Sequence, residues 1–272
     1  MKNIYTFGGQ FGKRNWTVYD LLNHKGKSKL TQVTADSLDE AVAAESAGID
    51  MLSVDDCDVE IVRAGAPHTF ITGVTLLTDH VTNDEILRAA FKCMELGADA
   101  VYTCASLNVV EMLANRDIPV MGHLGLVPRI STYIGGLRAF GKTAEEGIDL
   151  FSQVCRLEDA GAFAVELEVS AEEVVAEINK RTKLLTTSIG AGSGADVTFL
   201  FTKDLCGQNE KAPRHVKEYG NLRRLEQQIK DERLTCLKAF DKEAKDGRFP
   251  SAEYSVKMPA EELEKFMEKM DS

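Results

Sequence analysis

The chain has 272 residues, of which 44% are hydrophobic and 28% are charged, and its formal net charge at pH 7 is -11. This composition is typical of a globular protein with a sizeable core and excludes a disordered chain. The negative charge argues against nucleic acid as the main partner, because phosphate binding needs a cationic face.

Cysteine usage and hydropathy indicate where the protein works. The 6 cysteines are scattered without a Cys-x-x-Cys pair, which indicates neither a zinc knuckle nor a disulfide framework. Residues 1–20 lack the apolar core of a signal peptide, and no run of about 18 apolar residues occurs. We therefore expect a cytoplasmic protein with no membrane partner.

Short apolar segments alternate with helical patterns from residue 29 onward. Strands alternating with helices predict right-handed βαβ units and a parallel sheet, and eight such strands predict an α/β fold closed into a (β/α)8 TIM barrel. The predicted strand segments are residues 29–35, 50–56, 68–77, 98–105, 118–125, 162–170, 184–192 and 196–204.

Signals at helix ends support these boundaries. Residues 37–40 (SLDE) and 82–85 (TNDE) have the pattern of capping boxes, with Ser or Thr followed three residues later by Glu. Gly48, Gly97 and Gly161 each follow a helical pattern, as left-handed C-caps do.

The barrel prediction makes the chain one domain over residues 1–272, with additions at both ends. We expect an N-terminal extension of about residues 1–28 and a C-terminal helical region of about residues 220–272. Apolar residues in the C-terminal region recur at helical spacing with mixed charges between them. We expect this region to cover the barrel or a neighbouring subunit.

The second predicted strand ends in a group of acidic residues. Barrel enzymes carry their chemistry on the loops after the strands, and Asp55, Asp56 and Asp58 repel one another unless a cation or solvent relieves them. A magnesium-type ion would be such a cation, and a solvated acidic loop is the alternative. Because side chains alternate along a strand, Asp56 points opposite to Asp55 if the strand persists.

Two later strands carry candidates for proton transfer. Glu168 ends an apolar strand, and Glu166 shares its parity. Desolvation at an apolar barrel mouth raises a carboxyl pKa and suits it to proton transfer, whereas a structural ion pair is the alternative. His123, after the fifth strand, is either a general acid or base or a hydrogen-bonded structural histidine.

Weaker signals lie at two other strand ends. Tyr102 and Cys104, at the fourth strand, are residue types that more often pack than catalyse. The glycines of residues 188–192 (SIGAG) let backbone amides approach a ligand closely, and they also form ordinary strand-to-loop turns.

Four ordered segments together resemble the ketopantoate hydroxymethyltransferase family. They are PVMGHLGLVPR (119–129), YIGGLRAFGK (133–142), EDAGAFAVELEV (158–169) and SIGAGSGADVTFLFTKDLCG (188–207), and a weaker resemblance extends from about residue 30 to residue 256. The resemblance implies a (β/α)8 barrel related to the phosphoenolpyruvate mutase and isocitrate lyase superfamily, assembled as a homo-oligomer.

The resemblance also implies a reaction and its cofactors. Members of this family transfer a hydroxymethyl group from methylene-tetrahydrofolate to a small branched 2-oxo acid in pantothenate biosynthesis. A divalent metal, Mg²⁺ by this resemblance, holds the substrate oxygens and stabilises an enolate.

Residue by residue, the resemblance implies Glu168 and His123 as catalytic groups. It implies Asp56 as the metal ligand, with Asp55 as a further candidate. We expect the substrate-binding residues at strand ends and in the glycine-bearing loops: Cys57, Tyr102, Arg138, Ser188 and Gly190.

The sequence departs from the family pattern at three positions. The second metal-binding Asp falls on Val74, or on Gly73 in a register shifted by one, while a Lys falls on Tyr102 and a Glu on Cys104. Valine cannot bind a metal, and tyrosine lacks the cation that would meet an anionic substrate. Asp55 or Asp58 could replace the lost metal ligand, and Arg129 or Arg138 the lost cation.

We therefore expect a hydroxymethyltransferase-like transferase or lyase with an altered substrate. It would make or break a carbon-carbon bond next to the carbonyl of a small 2-oxo acid or related carboxylate. One alternative is an authentic ketopantoate-forming enzyme with a rebuilt metal site. The other is a non-catalytic ligand-binding or assembly homologue.

Overall fold

The computed structural model of the protein describes residues 1–76 and 78–271. Leu77, the last residue of the third predicted strand segment, and Ser272, the last residue of the predicted domain, lie outside these ranges. The chain divides into two compact units, residues 1–219 and 220–272, and each is described by itself.

Eight parallel strands of the first unit close into a barrel, in which each strand pairs with the next one along the chain and the last pairs with the first. This confirms the predicted TIM barrel. The strands are β3 (Leu30–Thr34), β4 (Met51–Asp55), β5 (Phe70–Val74), β6 (Ala100–Thr103), β7 (Val120–Gly125), β8 (Ala164–Glu168), β9 (Leu185–Ile189) and β10 (Val197–Leu200).

Helices follow the barrel strands and surround them. They are α2 (Leu38–Ala47), α3 (Val59–Gly65), α4 (Asn83–Glu95), α5 (Leu107–Ala114), α6 (Ala144–Asp159), α7 (Glu172–Asn179) and the short α8 (Thr202–Leu205). Thr82 and Glu85 form the full capping box predicted for α4. At α2, Ser37 caps the backbone N–H of Glu40, but the Glu40 carboxylate accepts from the N–H of Asp36.

Inward-facing side chains form layers, since alternate residues of each strand face the barrel axis. The layer at the amino ends of the strands is apolar and fully buried, and it is built from Leu30, Met51, Phe70, Ala100, Met121, Ala164, Leu185 and Val197. Two residues further along each strand the inward side chains are mostly polar: Gln32, Ser53, Thr72, Tyr102, His123, Glu166, Thr187 and Phe199.

Outward-facing residues of the same strands pack against the helices in a second apolar cluster, which includes Leu52, Val101 and Leu167. Each fully buried side chain of this kind contributes about 1.5–3 kcal/mol. The apolar layer and this outer cluster supply the hydrophobic core of the barrel. The polar layer above them is therefore not needed for apolar packing and can carry functional groups.

An N-terminal hairpin precedes the barrel. Strands β1 (Lys2–Tyr5) and β2 (Phe11–Arg14) pair antiparallel, and helix α1 (Val18–His24) follows them. The buried Arg14 donates from Nε to Asp99 Oδ1 at 2.8 Å, and Arg63 Nη2 donates to the other oxygen of Asp99 at 2.7 Å. Burial lowers the pKa of Arg63 to about 10, although the adjacent Asp99 favours its charged form. This triad fastens the hairpin to the loop before β6.

The second unit contains α9 (Leu222–Lys245) and α10 (Ala260–Met270), which confirms the predicted C-terminal helices. The Asn221 side chain caps α9 by accepting from the backbone N–H of Arg224. Within residues 1–76 and 78–271, no helix has the length and apolar character needed to cross a membrane.

Candidate functional site

A cavity of about 540 Å³ opens at the carboxyl ends of the barrel strands. Its volume lies in the range of small-molecule sites, and its position is where barrel enzymes carry their chemistry. The floor includes Tyr102, His123, Glu166 and Glu168, which we call the acid-base cluster.

Direct contacts join the members of the acid-base cluster. The Tyr102 hydroxyl lies 2.6 Å from His123 Nδ1 and 3.4 Å from Glu166 Oε1. On the other side of the ring, His123 Nε2 lies 3.0 Å from Glu168 Oε2 and 3.8 Å from Glu166 Oε1.

Strand register explains why these side chains meet. His123 on β7 pairs with Glu166 on β8, and Gly125 pairs with Glu168 two residues further on. Tyr102 lies on β6, the neighbour of β7 on its other side. Residues at matched register in parallel strands project to the same face, so three adjacent strands deliver their polar groups to one place.

The contact between His123 and Glu168 is close but poorly aligned for a hydrogen bond. His123 Nε2 is buried, and within the described residues it has no partner with hydrogen-bond geometry, although the carboxylate oxygen is only 3.0 Å away. We regard the pair as an electrostatic contact and not as an aligned hydrogen bond. The ring therefore presents a buried nitrogen to two carboxylates.

Burial controls protonation in the acid-base cluster. Complete burial raises the pKa of Glu166 to about 7; the His123 charge opposes this effect and the Glu168 charge adds to it. Burial lowers the pKa of His123, but the two carboxylates outweigh burial and the net shift is upward. Burial also holds the pKa of the Tyr102 phenol well above its ordinary value. The cluster thus favours a protonated Glu166 and a charged His123 more than free side chains would, and its members influence one another's protonation.

Glycines on β7 account for the Gly-His-x-Gly pattern. A Cβ on Gly122 would lie 2.5 Å from Leu157 of α6, and a Cβ on Gly125 would lie 2.3 Å from the Glu168 carbonyl oxygen. Gly125 also has φ +83°, which favours glycine. Both glycines therefore allow close packing on either side of His123.

The acidic group after β4 does not enter the cavity together. The strand ends at Asp55, and residues 56–58 form a 3-10 turn. Asp55 lines the cavity, whereas Asp56 Oδ2 pairs with His80 Nε2 at 2.8 Å and is not a lining residue. Cys57 is exposed and is not a lining residue either. Burial, together with the charges of Asp58 and Asp56, raises the pKa of Asp55.

Three other predicted substrate-binding residues also lie outside the cavity lining. Arg138 is paired with Glu146 at 2.7 Å and lies over the Phe140 ring. The Ser188 hydroxyl donates to the Gly192 carbonyl at 2.8 Å, which closes its own loop. Gly190 has positive φ and abuts His215.

The positions that the resemblance assigns to a metal do not form a ligand set. Val74 faces the cavity with an aliphatic side chain. Gly73 faces outward, where a Cβ would lie 1.9 Å from Cys93 Sγ, so a carboxylate there could not reach the cavity. With Asp56 engaged by His80, Asp55 is the sole carboxylate that β4 and β5 offer to the cavity.

Sequence reasoning missed part of the cavity wall. Phe199 and Phe201 on and after β10, and Lys203 in α8, line the cavity, as does Asp36 after β3. Lys203 Nζ donates to Asp36. Their position at the carboxyl ends of the first and eighth barrel strands is the feature of the sequence that could have predicted them as lining residues. Arg129, which the sequence offers as a substitute cation, also lines the cavity, and its Nη1 lies 3.8 Å from Cys104 Sγ.

A family model and several relatives match most of this chain. The family model for ketopantoate hydroxymethyltransferase matches residues 57–252. The 3-methyl-2-oxobutanoate hydroxymethyltransferase of Kosmotoga olearia is 37% identical, with the match covering 87% of this chain and 96% of that protein. The enzyme of the same name from Pyrococcus abyssi is 32% identical, covering 89% and 92%.

Solved structures share the fold at low identity. A phosphoenolpyruvate phosphomutase from Streptomyces platensis subsp. rosaceus has a TM-score of 0.50 at 12% identity, covering 93% of this chain and 97% of its own. A 2,3-dimethylmalate lyase of the PEP mutase/isocitrate lyase superfamily has a TM-score of 0.50 at 14% identity, covering 88% and 92%. The chain belongs to the ketopantoate hydroxymethyltransferase family of enzymes.

Proposed function

We propose that the protein makes or breaks a carbon-carbon bond next to the carbonyl of a small 2-oxo acid or related carboxylate, through an enolate. The observation that carries the proposal is the buried acid-base cluster at the cavity floor, in which Glu166 has a pKa raised to about 7 by burial. Enolate formation requires a base within reach of the substrate C–H, and the cluster places the Glu168 carboxylate in the cavity beside the Glu166 carboxyl group and the His123 imidazole.

The proton step uses Glu168 and His123. The Glu168 carboxylate takes the proton from C3 of the substrate. The C–H electron pair then forms the new C2–C3 double bond, and the π pair of the carbonyl moves to its oxygen to give the enolate. The charged form of His123, which the two carboxylates favour, stabilises the Glu168 carboxylate from 3.0 Å. The Tyr102 hydroxyl, held protonated by its raised pKa, donates to Glu166 Oε1 and accepts from the Nδ1–H of His123, which fixes the ring.

Binding uses the cavity wall. Arg129 supplies a cation for the substrate carboxylate, and Phe199, Phe201 and Val74 supply apolar surface for a short alkyl chain. None of Cys57, Arg138, Ser188 or Gly190 lines the cavity, so we assign no substrate contact to them. The substrate in this proposal is altered relative to the relatives' printed names, because the wall carries Tyr102 and Val74.

The family resemblance implies Mg²⁺ and methylene-tetrahydrofolate. Asp56 is paired with His80 and Val74 has an aliphatic side chain, so these two positions do not form the metal site that the resemblance implies. We assign no catalytic step to a metal held there. Methylene-tetrahydrofolate remains the proposed one-carbon donor. We also propose a cytoplasmic homo-oligomer, which size-exclusion chromatography with light scattering would test.

A second candidate is hydroxymethylation of 3-methyl-2-oxobutanoate itself. It is favoured by the relatives of that enzyme name at 37% and 32% identity.

Product analysis separates the two candidates. The purified protein would be incubated with methylene-tetrahydrofolate and, in separate samples, with 3-methyl-2-oxobutanoate and with 2-oxo acids of shorter, longer and unbranched chains. A hydroxymethylated product detected by mass spectrometry only with another 2-oxo acid supports the altered substrate. Product from 3-methyl-2-oxobutanoate supports the second candidate. No product, and no cleavage of the corresponding hydroxymethylated acids, contradicts both.

A further inference from the structure

We propose that His123, Glu166 and Glu168 hold a divalent transition-metal ion of the Zn²⁺ or Co²⁺ type at the floor of the cavity. The site lies on β7 and β8, away from the acidic group after β4. The binding step needs no substrate and goes beyond the proposed reaction.

The geometry is that of a three-ligand site. One nitrogen and two carboxylate oxygens from these residues all lie within 4.8 Å of one another. Ligands about 2.1 Å from a common ion lie about 3.0–3.5 Å apart. His123 Nε2 is already 3.0 Å from Glu168 and 3.8 Å from Glu166, so small rotations of the carboxylates suffice.

An unpartnered buried atom points to a ligand. The His123 side chain is 6% exposed, and its Nε2 has no aligned hydrogen-bond partner among the described residues while it faces both carboxylates. The carboxylates of Glu166, which is buried, and Glu168, which is partly buried, also repel each other at this distance, and leaving the buried charge uncompensated is costly. A cation between the three groups would relieve both features at once.

Tyr102 supplies the outer support that such a site requires. Histidines that bind metals donate their second ring N–H to a neighbouring acceptor, which fixes the tautomer. The Tyr102 oxygen lies 2.6 Å from His123 Nδ1 and can accept that hydrogen. The lone pair of Nε2 is then directed at the ion.

The donor set selects the kind of ion. Mg²⁺ prefers oxygen ligands and keeps its waters, whereas imidazole with carboxylates suits Zn²⁺, Co²⁺ and related ions. Three protein ligands leave coordination positions open toward the cavity. Each carboxylate can bind through one oxygen, so the second oxygen of Glu168 remains available for the proton step.

Cobalt absorption tests the site directly. The full-length protein, dialysed against a chelator, would be titrated with Co²⁺ while the visible d-d bands are recorded, followed by competition with Zn²⁺ or Mg²⁺. We expect one equivalent of Co²⁺, displaced by Zn²⁺ and not by Mg²⁺. Because ligands must lose protons to bind, the apparent affinity should rise with pH.

Matched variants locate the site. His123→Gln and Glu166→Gln should weaken binding more than about 100-fold, given that even outer-shell changes cost 10–100-fold. Asp55→Asn and Asp56→Asn, which alter the acidic group after β4, should leave binding unchanged. Loss of binding in the Asp variants with retention in His123→Gln would overturn the proposal.

Two further outcomes would also overturn it. One is the absence of d-d bands, and the other is a thiolate charge-transfer band, which would mark binding at the exposed cysteines. If a variant does not fold, X-ray absorption of the wild-type Co²⁺ form decides by the presence or absence of an imidazole ligand. Failure of metal binding leaves the product assay untouched, so the two proposals fail separately.

Discussion

Tyr102 determines how the His123 ring meets the cavity. The hydroxyl lies 2.6 Å from Nδ1, and it occupies the position where the family resemblance puts a lysine. A lysine would place a positive charge in the cavity, while the phenol places a neutral group whose pKa is raised by burial. We therefore propose that this position orients the imidazole instead of binding an anion.

Removal of this hydroxyl tests the orienting role. Tyr102→Phe should lower the rate of proton exchange at the substrate about tenfold, since a lost hydrogen bond costs about 1–1.5 kcal/mol. Tyr133→Phe is the matched control, because Tyr133 is 91% exposed and should behave as wild type. NMR of the exchanging substrate proton measures both, and equal rates in the two variants would remove Tyr102 from the mechanism.

The residue types were easier to predict than their directions. Glu168 and His123 line the cavity as the sequence indicates. The resemblance favours Asp56 as the metal ligand, yet Asp55 shares inward parity with Ser53 and Met51 on β4 and lines the cavity. The alternation of side chains along β4 therefore predicts that Asp55 faces the cavity, whereas the family motif points to Asp56. The pairing of Asp56 with His80 is set by a loop that no local pattern describes.

At the scale of elements, the end of β7 depends on a glycine. Gly125 lets the backbone of β7 pass the Glu168 carbonyl at a distance that no side chain permits. The position of the β8 carboxylate relative to His123 therefore depends on a residue with no chemistry of its own.

Two alanine substitutions distinguish the cost of backbone strain at positive φ from the cost of a steric clash. Gly125→Ala and Gly135→Ala place alanine at similar positive φ values, +83° and +79°, but a Cβ at Gly135 meets nothing within 4 Å. Gly135→Ala should cost ~1 kcal/mol of unfolding free energy, and Gly125→Ala about 3 kcal/mol or more with loss of activity. Urea unfolding and the exchange assay measure the two effects. A similar loss of unfolding free energy in both variants would contradict this prediction, because it would show that neighbouring atoms move to relieve the clash at Gly125.

The sequence predicts the barrel strands and helices, which have strong local patterns, but not the N-terminal hairpin, which has none. The barrel strands alternate with capped helices, and their order along the chain determines their neighbours. The hairpin of β1 and β2 lies within what the sequence indicated only as an N-terminal extension. Its strands are short and largely exposed, and its anchor is the pair Arg14 and Asp99, 85 residues apart. A contact between residues so far apart in the chain cannot be predicted from local periodicity.

For the whole molecule, the polar layer above the apolar layer links stability to pH. The folded pKa of Glu166 is about 7, above its ordinary value of 4.5, and that of His123 is raised above 6.5. The folded state therefore binds these protons more tightly than the unfolded state. Their stabilising contribution is fully present below the unfolded pKa values and is lost as pH rises through the folded values.

Glu166→Gln should remove most of this pH dependence. The wild-type free energy of unfolding should fall between about pH 5 and pH 8. The Glu166 part is on the order of 3 kcal/mol, since one pKa unit corresponds to about 1.4 kcal/mol. The glutamine variant cannot lose a proton, and its curve should be flatter. Urea unfolding at a series of pH values measures both curves, and parallel curves would contradict the raised pKa.

Hydrogen-deuterium exchange at C3 of 2-oxo acids tests the central claim most directly, because it detects the enolate without requiring the electrophile. The protein would be placed in heavy water with a panel of 2-oxo acids, with Mg²⁺ or Zn²⁺ in separate samples, and the C3 proton signal followed by NMR. We predict loss of the signal with the wild type and its retention with Glu168→Gln. No exchange with any 2-oxo acid, or equal exchange in the variant, would contradict enolate chemistry at this site.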